Sequence, residues 1–116
     1  MYWEDKLASD LNLIVTEQDF GIINANGKRL LEFLDYFLSN QEIDSWGWEE
    51  LLNLILESAN EAILEKYITN YELETIKNIL LNYSSKFPTQ LEYWSQFDNA
   101  EGCYPIVDFV NKVIDT

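Results

Sequence analysis

Among its 116 residues the chain has no histidine, one cysteine, one arginine, two prolines and four glycines. Each scarcity removes a class of chemistry. Without imidazole there is no base for a Ser-His-Asp or Cys-His nucleophile, so those hydrolases are excluded. One thiol and no imidazole cannot build a Cys₄, Cys₂His₂ or His₃ zinc shell. Cys103 also has no partner for a disulfide within the chain, and is expected to be a plain buried or half-buried thiol in a reducing compartment. Bases are scarce as well: seven Lys and Arg stand against 21 Asp and Glu, a net charge of −14. Phosphate affinity comes from Lys and Arg releasing counterions, so neither direct nucleic-acid binding nor docking on an anionic membrane is expected.

Long apolar runs are also missing. No stretch approaches the ~20 residues that span a bilayer, and Met1–Lys6 lacks the basic start and apolar run of a secretory signal. A cytoplasmic location is the expectation. What the chain does have is 47% hydrophobic residues, 15% aromatic. That is enough to bury one core, so the acidity belongs to a folded surface and residues 1–116 are expected to form one domain.

Apolar spacing of three and four dominates the pattern. Trp3, Leu7, Leu11 and Ile14 place a first helix. Asp19 to Lys28 reads as a loop turning at Asn26-Gly27, with room for one short strand near Ile22. A second helix is expected from about Lys28 to Ser39, burying Leu30, Leu34, Phe37 and Leu38 with help from Leu31 and Phe33, and with Asn40 as its stop. The third and longest starts at a cap from Asp44 or Ser45 and reaches Lys66, with Trp48, Leu51, Leu52, Ile55, Ala59, Ala62 and Ile63 as its core stripe. Thr69-Asn70-Tyr71-Glu72 fits a capping box that starts a fourth helix, carrying Leu73, Ile76, Leu80, Tyr83 and Phe87 to Pro88. Thr89–Phe97 is expected to hold a short fifth helix using Leu91 and Trp94. Pro105 opens a last one with Ile106, Phe109, Val110 and Val113 inward. The expected fold class is all-α: five or six helices around an aromatic core.

No catalytic residue, metal ligand or cofactor site is assigned. Carboxylates abound, but Asp98–Gly102 lacks the alternating ligands and closing Glu of a calcium loop. Asn24–Lys28 lacks the frame of a phosphate loop. Both read as turns, and the chain is not expected to be an enzyme.

The acids are concentrated. From Glu32 to Glu74 the chain carries eleven, with Lys66 the only base among them. On the third helix Glu57, Glu61 and Glu65 stand four apart with Glu50 two turns earlier, so all four are expected on the side opposite the core stripe. Each pair of like charges at this spacing costs a helix roughly 0.2–0.5 kcal/mol, which alternating Lys would reverse. A one-signed ridge therefore suits a basic partner better than it suits the helix. Asp44 and Glu72 extend it. Trp46-Gly47-Trp48 cannot turn both indoles to one side, so Trp46 is added as an aromatic anchor; Tyr36, Tyr67, Tyr71 and Tyr93 are weaker candidates.

Small size, helix richness, strong acidity and absent catalytic groups together give the chain a character that resembles the immunity proteins of bacterial toxin systems, both contact-dependent inhibition and colicin-type. The resemblance spans the whole chain and is one of type, without a signature motif. It implies a bacterial protein that binds and neutralises a basic toxin domain, in most cases a nuclease, with Glu50, Glu57, Glu61 and Glu65 standing where phosphates would. Two other readings share the composition: a nucleic-acid-mimicking regulator, and a helical adaptor whose acidity serves only solubility.

Overall fold

The computed structural model describes residues 3–14, 20–40, 45–83, 94 and 104–114. All regular structure among them is helical: α1 (Trp3–Leu11), α2 (Phe20–Asn24), a 3₁₀ turn (Gly27–Arg29), α3 (Leu30–Ser39), α4 (Ser45–Leu64), α5 (Asn70–Tyr83) and α6 (Pro105–Ile114). The radius of gyration is 13.3 Å, about what one domain of this length has. No helix among the described residues is long and apolar enough to cross a membrane.

The fold is built around α4. Twenty residues make a rod of about 30 Å, and from Leu51 to Asn60 every residue except Asn53 and Glu57 is buried. A helix buried on nearly every side needs neighbours on every side. It has α1, α2, the 3₁₀ turn, α3 and α6 against it. The expected stripe is present in Leu51, Leu52, Ile55, Ala59 and Ala62, but Leu54, Leu56, Ser58 and Asn60 are buried too. The side opposite the stripe is therefore not free surface, and the acidic ridge emerges between covering elements.

Two of those elements differ from the sequence-based expectation. Residues 20–24, expected as loop or strand, form a helix whose Gly21 lies directly on α4: a Cβ there would stand 3.1 Å from both Asn53 C and Leu54 N. The glycine serves close helix approach rather than a turn. The first helix ends at Leu11 rather than near Ile14, because Asn12 takes a left-handed φ of 55° and Leu13 N–H closes on the Ala8 carbonyl at 2.8 Å. That is a Schellman-type end with Asn at its left-handed position, and it leaves Ile14 63% exposed. Leu38 and Leu31, expected inside, are exposed at 43% and 45%; Phe33 is buried as expected.

Polar side chains fasten the ends of elements. The Asn24 amide grips both Ile14 N–H (2.8 Å) and Ile14 C=O (2.9 Å), replacing the pairing a strand would supply. Arg29, the chain's only guanidinium, is used internally. It donates to the Leu11 carbonyl, pairs with Glu32 at 2.8 and 3.0 Å, and lies 5.1 Å from the Phe33 ring centre. Asn40 stops α3 by returning both its backbone N–H and its amide to the Tyr36 carbonyl. The capping box is formed as expected: Glu72 N–H donates to Thr69 Oγ1 at 3.1 Å, and Thr69 N–H and Oγ1–H both reach Glu72 Oε1 at 2.9 Å. At the last helix, Pro105 leaves one fewer N–H to satisfy, and Ile106 N–H is capped from α4 by Asn60 Oδ1 at 3.2 Å. Val107, Ile106, Val110 and Val113 then close the core.

Candidate functional site

One groove of about 350 Å³ gathers the acids. It is lined by Glu57, Asn60, Glu61 and Leu64 of α4, by Glu65 just beyond its end, and by Ala25 and Tyr104. The local sequence explains both walls. Ala25 follows α2, whose seat on α4 is fixed by Gly21, and Asn26 N–H is tied to Ser58 Oγ at 3.0 Å. Tyr104 precedes Pro105 and is held by the Asn60–Ile106 bond.

The three glutamates follow one another four residues apart, so their Cα atoms rise in steps of about 6 Å along the axis. Glu57 is half-buried, and burial pushes its carboxyl above the usual carboxylate range. Glu65 is exposed. Glu61 is partly buried. The Tyr67 phenol is in turn raised, first by desolvation and then by the carboxylates of Glu61 and Glu65. Among the described residues no three acidic or thiol groups converge as metal ligands would. The row offers successive charges to something extended rather than one point to an ion. Leu64, 48% exposed, and Tyr104, 37% exposed, add apolar surface beside those charges. Such a surface accommodates an aliphatic stem while a carboxylate meets a cationic head.

The sequence-predicted residues divide accordingly. Glu57, Glu61 and Glu65 share the groove; Glu50 lies on α4 outside its lining and is partly buried. Glu72 is buried and engaged in the capping box, which occupies the carboxylate within the fold. Asp44, and the side chain of Trp46, lie outside the described residues, as do Cys103, Tyr93 and the turn at 98–102. Tyr36 donates to Asp10 at 2.7 Å, whereas Tyr71 is 61% exposed. Ala25, Asn60, Leu64 and Tyr104 were not singled out by sequence reasoning. Only Leu64 carries a signal, a large apolar residue between two acids at the end of a helix. No family model, no curated protein and no solved structure matches the chain.

Proposed function

We propose that this is an immunity-type protein that neutralises a basic toxin domain in the bacterial cytoplasm by seating the toxin's cationic side chains along the α4 groove. One observation carries the reading: Glu57, Glu61 and Glu65 line a single groove together with the exposed apolar side chains of Leu64 and Tyr104, and no base lines it among the described residues. Complementary charge speeds encounter and rejects wrong partners, and a row of carboxylates with apolar relief matches Lys or Arg side chains projecting from a basic surface. The chain's own arginine is committed to Glu32 and the Leu11 carbonyl, so it does not compete.

The test is the rate of association with a basic toxin domain recovered by pull-down on this chain, at low and high ionic strength, for the wild type and for the Glu57→Lys/Glu61→Lys variant. We expect the variant to associate at least ~10-fold more slowly at low salt, with the difference shrinking as salt screens it, and to lose protection of cells expressing the toxin. Circular dichroism checks that the variant remains helical. Unchanged association at low salt would remove the groove from the interface.

A further inference from the structure

Asn26 is the only asparagine in the chain followed by glycine. In an Asn-Gly pair the backbone nitrogen of the glycine attacks the Asn side-chain carbonyl carbon, ammonia leaves, and a five-membered succinimide forms. Water then opens the ring at either carbonyl to give aspartate or isoaspartate. Glycine favours this step because it has no Cβ to hinder the approach of its nitrogen.

The fold opposes that step in three ways. Asn26 has φ −155° and ψ 103°, which puts Gly27 N and the Asn26 Cβ on nearly opposite sides of the Cα–C bond. Ring closure needs them on the same side, so the peptide must rotate first. That rotation would strain a turn held by three hydrogen bonds on Asn26. Its N–H donates to Ser58 Oγ at 3.0 Å, its Oδ1 accepts from Lys28 N–H at 3.1 Å, and its carbonyl accepts from Arg29 N–H at 3.0 Å. Finally, the peptide has nowhere to swing. Gly27 is buried, and even a Cβ there would stand 2.5 Å from Tyr67 Oη and 2.8 Å from Ala62 N.

We propose that Asn26–Gly27 is a latent deamidation site that the fold holds shut and that opens only when the 3₁₀ turn leaves α4. The two products then behave differently. Aspartate at 26 keeps an oxygen for the Lys28 cap and fits the native seat. Isoaspartate adds a methylene to the backbone where Gly27 has no spare room, so chains carrying it do not regain the native packing. Deamidation thus marks molecules that have been unfolded, and one of its two products removes them from the folded pool.

The test follows the gain of about one dalton and the release of ammonia at mildly alkaline pH, in buffer alone and across a urea series, with isoaspartate located by peptide mapping. Native protein should react at least ~10³-fold more slowly than fully unfolded protein, because the reactive fraction is the unfolded fraction. The rate should climb with urea in step with the loss of helical signal. Asn26→Asp should abolish the fast component in urea, which assigns it to this site. Ser58→Ala, which removes one of the bonds holding Asn26, should speed the native reaction about five-fold. Aspartate-26 chains should refold on dilution, and isoaspartate-26 chains should not. Equal rates in native and unfolded protein would overturn the proposal. So would a fast component in urea that survives Asn26→Asp.

Discussion

A methyl group added at Gly27 would stand 2.5 Å from Tyr67 Oη and 2.8 Å from Ala62 N, and the second of these atoms is backbone that cannot step aside. Gly27→Ala is therefore expected to destabilise the protein by about 1–3 kcal/mol, the range for overpacking a tight contact, read from urea denaturation. An unchanged midpoint would mean that the 3₁₀ turn does not lie on α4. The opposite effect is expected at Lys66. It ends α4 at φ 64°, with Lys66 N–H on the Ile63 carbonyl and Tyr67 N–H on the Ala62 carbonyl, which is a Schellman motif with a lysine where glycine is favoured. Lys66→Gly should stabilise by up to about 1 kcal/mol, since a left-handed conformation costs a side-chain-bearing residue about that much. Neither position could be judged from sequence. Gly27 reads as an ordinary Asn-Gly turn, and its actual constraint comes from residues 62 and 67, which are distant in the chain.

At the scale of elements, what the sequence discloses depends on where each helix finds its partners. Helices α3, α5 and α6 were legible because their signals are local. Asn40 returns to Tyr36, Thr69 and Glu72 satisfy each other, and Pro105 starts a turn whose Ile106, Val110 and Val113 fall on one face. By contrast α2 looks in sequence like a loop or short strand, because five residues carry too little periodicity to show and its glycine looks like a breaker until α4 is placed against it. The burial of α4 on its second side was hidden for the same reason. Its acidic spacing is legible; that Ala25 after α2 and Tyr104 before α6 turn the ridge into a groove is not.

The cap supplied by Asn60 to α6 is the clearest long-range device, and it is testable. Asn60→Ala leaves the buried Ile106 N–H without its acceptor and should cost about 1–3 kcal/mol, whereas Thr69→Ala, which loses a half-exposed cap on α5, should cost about 1 kcal/mol. Equal costs for the two would mean that α6 is held by its apolar face alone.

For the whole molecule, the governing quantity is a charge of −14 on a fold whose groove holds Glu57 half-buried. Burial raises that carboxyl, so Glu57 binds its proton more tightly in the folded chain than in the unfolded one. Its contribution to stability is then fully present below the unfolded value and is lost as pH rises through the folded one. Asp10 and Glu32 behave oppositely. Hydrogen bonds from Tyr36 and Lys6 lower the first and one from Arg29 lowers the second, so the stability they contribute is lost as pH falls through their folded values. Between neutrality and the ordinary carboxylate range only the first effect operates, assisted by easing repulsion as the excess of carboxylates begins to titrate. We therefore expect Tm to rise as pH is lowered over that interval and to fall below it.

Salt separates the two causes of the rise. Near 1 M the screening length is about 3 Å, which suppresses repulsion across the surface but leaves the desolvation of Glu57 largely in place. Glu57→Gln should accordingly flatten the high-salt rise in Tm while leaving most of the low-salt rise intact. If wild type and Glu57→Gln show the same high-salt slope, Glu57 is not held in a desolvating groove. The same titration sets stability against binding. Protonating Glu57 relieves the fold but removes a charge from the groove, so association with a basic partner should slow over the interval in which Tm rises. A partner that bound faster as pH fell would have to be using a surface other than α4.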